Sequence, residues 1–391
     1  MDDVLRGIRI REALQQPDWA DAAQVERVAE VLAARPALVR PEDLRLLRRQ
    51  LAGVADGETL VVQAGDCAED PDECAFTDVA RKAALLDLLA GTLRMNVHKP
   101  VIRVGRIAGQ FAKPRSSGTE TVHGAVLPTF RGHMVNGPEP THEARRPDPL
   151  RILAGYMAAG DIMEHLGWRG RAAGHEPVGP LVWTSHEALL LDYEIPMLRA
   201  DDAGKLYLGS THWPWIGERT RHLDGAHVAL LAQVSNPVGC KVGPAMEPGE
   251  LLALCERLDP AREPGRLTLI ARMGAGLISE RLPGLVAAVA GAGHPVIWLT
   301  DPMHGNTVTA PDGNKTRLLG TVSREVALFQ EAVTAAGGVP GGLHLETTPD
   351  DVTECAHGAA DLARVGDKYL TFCDPRLNPQ QAIAVAAGWG A

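Results

Sequence analysis

The sequence predicts an α/β fold, a closed (β/α)8 TIM barrel with a short helical N-terminal extension. Three observations lead there. From residue 58 onward, eight short runs rich in β-branched residues are interleaved with helical stretches, the pattern of parallel β/α units. Eight such units suit a closed barrel better than an open doubly wound sheet. The chain of 391 residues is 45% apolar and 23% charged, an ordinary globular composition that excludes a disordered or fibrous chain.

The extension is assigned to residues 1–57 and the barrel to 58–391. In VERVAEVLAARPALV (25–39) and PEDLRLLRRQLAGVADG (41–57), apolar residues recur at three- and four-residue spacing, and Pro41 suits a first helical turn. The strand candidates are TLVVQAGD (59–66), PVIRVGR (100–106), PLVWTSHE (180–187) and THWPWIGE (211–218). They continue with VGCKVGP (238–244), RLTLIARMG (266–274), PVIWLTDPMHG (295–305) and GGLHLETT (341–348). The fourth is the weakest because Pro214 interrupts it. Helical candidates separate most of them: 76–94, 148–168, 248–258, 282–293 and 321–337, with a last one in the Ala-rich C-terminal end. Residues 107–150 read as a long loop punctuated by Gly and Pro, a size that in a compact domain is usually functional.

Lys plus Arg total 39 and Asp plus Glu 49, a net charge of −10. Such a chain is a poor general partner for nucleic acid or an anionic membrane, so an anionic ligand needs a local basic cluster. No apolar run reaches the length of a membrane span, and the charged N-terminus lacks a signal-peptide core. A cytoplasmic location is the expectation. The six cysteines are scattered, with no CxxC pair and no disulfide framework.

The polar residues carry the functional signal, because they gather at the carboxyl ends of the strands, where barrel active sites are built. In order these are Asp66, Cys67 and Glu69; Arg103 and Arg106, running into Lys113, Arg115, Ser116 and Ser117; Ser185, His186 and Glu187; Glu218, Arg219 and Arg221; Lys241; Arg272; Asp301 and His304; His344 and Glu346. Each alone reads equally as a solvated or paired residue; all eight strands together do not. Cys67, His304, Glu346 and Asp374 offer a thiolate, an imidazole and two carboxylates. That set suits a divalent ion such as Mn²⁺ or Co²⁺, with Fe²⁺ or Zn²⁺ as alternatives, able to polarise a carbonyl oxygen. Cys67 taken singly also reads as a buried structural thiol, and His344 competes as a ligand. Arg106, Lys113, Arg115, Arg219, Lys241 and Arg272 form a candidate anion site, since guanidinium forks match phosphate and carboxylate. The competing reading is a ring of salt bridges with Asp66, Glu69, Glu187 and Glu218.

Nine motifs carry a resemblance: QAGDCAE (63–69), RVGRIAGQFAKPRS (103–116), SHEALLLDYE (185–194), WIGERTRHLDGAH (215–227), NPVGCKVGP (236–244), LTLIARMG (267–274), DPMHGNT (301–307), HLETTPDDVTEC (344–355) and CDPRLN (373–378). From about residue 58 to 385 the chain resembles the type II 3-deoxy-D-arabino-heptulosonate 7-phosphate (DAHP) synthases. The resemblance implies a metal-dependent aldol-type condensation of phosphoenolpyruvate with erythrose 4-phosphate, giving DAHP and inorganic phosphate at the head of the shikimate pathway or of a secondary-metabolic branch. It also implies a homo-oligomer, most simply a dimer. By the same resemblance Cys67, His304, Glu346 and Asp374 are metal ligands. Arg106, Lys113, Glu218, Arg219, Lys241 and Arg272 hold phosphoenolpyruvate, and Arg115 and Ser116 receive the acceptor phosphate. Metal-bound water, Lys113, Glu218 and His304 are the candidates for proton transfer.

Other readings are the same chemistry on a modified acceptor (an aminoDAHP synthase), a silent barrel that binds a partner such as chorismate mutase, and a generic metal-dependent sugar-phosphate aldolase or isomerase. Two departures from the family stand out. FRGHMVNG places His133 where an Asp is common, on the expected acceptor side, and the extension and loops that carry feedback sites in the family are short. Weak or absent inhibition by aromatic amino acids is therefore expected. Finally, Cys373 adjoins Asp374, so it is expected near Cys67, where loss of metal would let the two thiols form a disulfide.

Overall fold

In a computed structural model, residues 2–122, 124–168 and 181–390 are described. Three helices precede the first strand: α1 (Asp2–Arg9), α2 (Ala22–Ala33) and α3 (Pro41–Ala55). Then follow β1 (Leu60–Gly65), α4 (Phe76–Val97), β2 (Val101–Arg106), α5 (Leu150–His165), β3 (Trp183–Glu187), β4 (Trp213–Ile216), α6 (Ala226–Leu231), β5 (Val238–Val242), α7 (Pro248–Leu258) and β6 (Leu267–Ala271). The chain ends with α8 (Ile278–Gly291), β7 (Ile297–Thr300), α9 (Leu319–Ala335), β8 (Pro340–Glu346) and α10 (Pro379–Ala387). The eight strands close into one parallel barrel in which each pairs with its sequence neighbours and β8 pairs with β1. This is the (β/α)8 fold that the alternation predicts. No helix among the described residues is long and apolar enough to cross a membrane.

Several local expectations are refined. Pro214 does lie in a barrel strand; β4 pairs with β5 only from Trp215 onward, past the proline. The 107–150 stretch contains an antiparallel hairpin, Thr119–Val122 with Ala125–Pro128. A second hairpin, Leu198–Ala200 with Leu206–Leu208, fills the β3–β4 connection in place of a full crossover helix. The seventh strand ends at Thr300, and its polar tail leads into a third hairpin, Thr307–Thr309 with Lys315–Arg317. Pro180, at the head of the third strand candidate, lies outside the described residues.

The helices form where the sequence supplies ends and stripes. Asp21 accepts a hydrogen bond from the Gln24 backbone at the start of α2, Pro41 opens α3, and Asn378 and Gln381 make a capping box on α10. Leu44, Leu47, Leu51 and Val54 of α3 are buried in one cluster with Val61, Ile102 and Ile297 from the amino ends of β1, β2 and β7. Gln50 on α3 accepts a hydrogen bond from Trp183 Nε1 at 3.1 Å. Within the extension, α3 thus packs on the amino end of the barrel, while Gln15 and Gln16 bond to the loops that follow β2 and β3.

Two glycines show how unequal glycine positions are. Gly342 in β8 has φ +143°, and an added Cβ would run into the Val61 backbone of β1. Exposed Gly284 in α8 has nothing within 4 Å of an added Cβ. Gly342→Ala is expected to prevent soluble folding or to lower the melting temperature sharply. Gly284→Ala is expected to raise stability by about 0.5–1 kcal/mol through helix propensity. Thermal unfolding of both variants checks this; a wild-type melting curve for Gly342→Ala would contradict it.

Candidate functional site

At the carboxyl end of the barrel, register sets the first contact. Gly65 on β1 pairs with Arg106 on β2 and with Glu346 on β8. Gly65 has φ +149°, and an added Cβ would run into the Arg106 backbone, so glycine permits this close pairing. At these strand ends Arg106 Nη2 donates to Glu346 Oε1 at 3.0 Å. Arg317, from the third hairpin, donates to Glu346 Oε2 at 2.9 Å and is itself fixed by the carbonyls of Met303 and Pro375. Burial opposes the charge on Glu346, but His304, Arg317 and Arg106 hold its carboxyl well below the usual range.

Around Glu346 lie the other predicted metal ligands. Donor atoms of Cys67, Glu346 and Asp374 all fall within 4.8 Å of one another. Cys67 Sγ is 3.6 Å from Asp374 Oδ2, and His304 Nε2 is 3.3 Å from Glu346 Oε1. His304 therefore adjoins this group through Glu346. Its other nitrogen, Nδ1, is 2.8 Å from Asp301 Oδ2, which leaves Nε2 facing Glu346. The thiol and two carboxylates of Cys67, Glu346 and Asp374 fit a divalent cation of borderline softness, and the His304 imidazole is outside their group, beside Glu346. Burial raises the Cys67 thiol well above its ordinary range, and its contacts with Cys373 and Glu346 push the same way. Cys373 is lowered, chiefly by its interaction with the neighbouring Cys67 thiol. His344 is not in the ligand group; it lies between Arg106 and Gln63. Burial, followed by Lys241 and Arg106, holds this imidazole well below its usual pKa.

Beside the cluster opens a cleft of about 490 Å³, lined by Arg106, Lys113, Glu187, Trp215, Glu218, Arg219, Lys241, Arg272, His304 and Asp374. Among the described residues no carboxylate pairs with Arg219 or Arg272. Lys113 lies 3.9 Å from Glu346; burial disfavours its charge, but Cys67, Glu346 and Asp374 raise its pKa above the usual range. Lys241 is 2.5 Å from Asp301. Burial lowers it to about 8, with Asp301 opposing and Arg106 assisting.

Of the acids that could have neutralised these cations, two are engaged elsewhere and two line the cleft without pairing with its cations. Asp66 pairs with Lys82 and Arg376. Glu69 accepts from the backbone amides of Ala108, Gly109 and Gln110, tying down the start of the long loop. Glu218 Oε1 accepts from Arg221, while its buried Oε2 has no partner. Glu187 reaches the cleft with a buried, unpartnered Oε1, its carboxyl raised by burial. The salt-bridge ring that sequence left open as an alternative is thus absent among the described residues, apart from Lys241 with Asp301 and the Glu346 contacts.

Four sequence-predicted positions fall outside the cleft. Arg103 points to α4 and pairs with Asp87. Arg115 pairs with Glu120 at 2.8 Å and approaches Cys373, and Ser116 is exposed; both sit at the rim. His133 Nδ1 donates to the Glu69 carbonyl, and its ring packs edge-on against Phe130 and Phe372.

Sequence reasoning missed the residues that hold the site in place. Arg317 sits in a hairpin without periodic signal. Arg376, in CDPRLN, spans Asp66 and Glu354. Glu325 on α9 accepts from the Gly274 backbone and from Asn306, joining the loops that follow β6 and β7. Arg376 and Glu354 lay inside quoted motifs, the one signal available for them.

Comparison with known proteins agrees with this fold. The class-II DAHP synthetase family matches residues 5–178 and 173–388. A probable phospho-2-dehydro-3-deoxyheptonate aldolase of Pseudomonas fluorescens is 57% identical over 391 residues, covering 100% of this chain and 98% of that protein. A phospho-2-dehydro-3-deoxyheptonate aldolase of Streptomyces coelicolor is 41% identical, covering 96% and 94%. The structure of a phospho-2-dehydro-3-deoxyheptonate aldolase from Francisella tularensis superposes with a TM-score of 0.53 at 14% identity, covering 92% and 95%, a likeness of fold. With motifs, barrel and full-length relatives in agreement, the chain belongs to the class-II DAHP synthase family.

Proposed function

We propose that this chain is a DAHP synthase that joins phosphoenolpyruvate to erythrose 4-phosphate and releases inorganic phosphate. One observation carries the reading: a cleft lined by guanidinium and ammonium groups, of which Arg219 and Arg272 pair with no carboxylate among the described residues, adjoins a cluster of cation ligands. Arg106, Arg219, Lys241 and Arg272 bind the phosphate and carboxylate of phosphoenolpyruvate and fix its nucleophilic C3 toward the acceptor. Arg115 and Ser116 at the rim receive the acceptor's phosphate. A divalent cation, Mn²⁺ or Co²⁺ by preference, held by Cys67, His304, Glu346 and Asp374, would supply Lewis-acid polarisation of the aldehyde oxygen.

As C3 bonds to the aldehyde carbon, C2 becomes electron-poor and water adds there. Lys113, kept protonated by its acidic neighbours, donates to the aldehyde-derived oxygen. Glu218, with one carboxylate oxygen unpartnered, takes the proton from the attacking water. The resulting hemiketal phosphate expels phosphate into the basic cleft. The buried cations Arg106, Lys113 and Lys241 act on charge that moves beside them, where electrostatic stabilisation is stronger than in water.

Phosphate release from phosphoenolpyruvate on metal-reconstituted protein tests the proposal. Turnover is expected with erythrose 4-phosphate, to fall to background on chelation and to return with Mn²⁺ or Co²⁺. Faster turnover of an amino-substituted acceptor would favour the aminoDAHP reading instead.

A pH effect follows from Lys241. Its ammonium is lost as pH rises through about 8, so the KM for phosphoenolpyruvate is expected to climb above that pH in the wild type. Lys241→Arg, which stays charged, should flatten the rise. Equal pH profiles for the two proteins would remove Lys241 from substrate binding.

A further inference from the structure

At the cleft, three residues from adjoining barrel strands form a hydrogen-bonded chain of which only Arg106 has a role in the proposed reaction. Gln63 on β1, His344 on β8 and Arg106 on β2 are 1%, 0% and 2% exposed. Arg106 Nη1 lies 2.5 Å from His344 Nε2, and His344 Nδ1 lies 2.6 Å from Gln63 Oε1. A guanidinium only donates, so Nε2 must be the unprotonated acceptor. Nδ1 then carries the hydrogen and donates it to the Gln63 carbonyl oxygen. The directions of the bonds leave one tautomer for His344.

Arg106 is held at all three nitrogens. Besides the bond to His344, Nε donates to the Asp66 carbonyl at 3.1 Å and Nη2 to Glu346 Oε1 at 3.0 Å. A guanidinium has five N–H groups, so two remain, one on each Nη nitrogen. The guanidinium lies over the Trp215 ring at 5.3 Å, and His344 meets the same ring edge-on at 5.2 Å. The acceptor at Nη1 is neutral. An imidazole orients the guanidinium without cancelling its charge, whereas a further carboxylate beside Glu346 would spend that charge on the protein.

We propose that His344, locked by Gln63 as its Nδ1–H tautomer, is a positioning residue that aims the two uncommitted N–H groups of Arg106 at an anionic oxygen of the enol phosphate substrate. This rests on reading the cleft as the phosphoenolpyruvate site. His344 touches neither substrate nor acceptor; it acts through Arg106, so its loss weakens recognition of one substrate and leaves the other alone.

Two measurements test this. The first uses ligand-free wild-type protein with ¹⁵N-labelled histidine. The imidazole signals that vanish in His344→Gln are expected to show a pyrrole-type Nδ1 and a pyridine-type Nε2; a protonated Nε2 would overturn the proposal. The second is kinetic. His344→Leu is expected to raise the phosphoenolpyruvate KM about tenfold, the effect of one lost hydrogen bond to a charged group. The acceptor KM and kcat should stay within about twofold. His344→Gln, which restores an acceptor oxygen, should recover most of the loss, and Gln63→Leu should fall between. Equal damage in His344→Gln and His344→Leu, or a loss borne by kcat or by the acceptor KM, would refute the positioning role. Failure of the wild type to turn over phosphoenolpyruvate would refute the functional reading instead, and the tautomer measurement would still decide the relay.

Discussion

Glu346 has no exposed surface, and a carboxylate so placed survives as an anion only among several cations and donors. Arg106 and Arg317 take one oxygen each, and His304 and Lys113 approach the oxygen that Arg106 holds. Much of the site depends on this buried charge. It fixes the height of Arg106 in the cleft, it places the imidazole of His304, and it supplies one of the ligand atoms clustered with Cys67 and Asp374. Arg106 and Glu346 flank Gly65, which pairs with both strand ends and has no room for a Cβ against the Arg106 backbone.

A second layer of ion pairs keeps the catalytic face from neutralising itself. Arg376 and Lys82 occupy Asp66, and the backbone amides of the long loop occupy Glu69. Arg221 occupies one oxygen of Glu218. Asp66 and Glu69 are spent on holding loops, so an acidic chain presents a locally cationic pocket. Buried pairs of this kind are weak contributors to stability against apolar replacements. Their value here is geometric, since each ties a loop to a strand end. Glu325 does the same between the loops that bear Arg272 and His304.

The division of the barrel into two ends follows from packing. The amino end is filled by apolar residues and covered by α3, so the polar strand ends have one open face on which to converge. The contrast between Arg103 and Arg106 makes the point. Both lie on β2, yet Arg103 turns outward to Asp87 on α4 while Arg106 turns inward to the cluster. The odd spacing between them puts them on opposite faces of the strand.

The sequence by itself determined the class of fold, the order of the strands and most candidate ligands and cations, because alternation of β and helical periodicity and the chemistry of side chains are local properties. It even carried Pro214 inside a strand, where propensity argued against it. What only the tertiary structure decided was which of those residues face each other. Strand parity separated Arg103 from Arg106, loop paths left Arg115 and Ser116 at the rim, and a non-periodic hairpin delivered Arg317 to Glu346. The tautomer of His344 likewise depends on partners 281 and 238 residues away in sequence. Such pairings are set by closure of the barrel, which brings distant strand ends to one height, and no local pattern encodes that meeting.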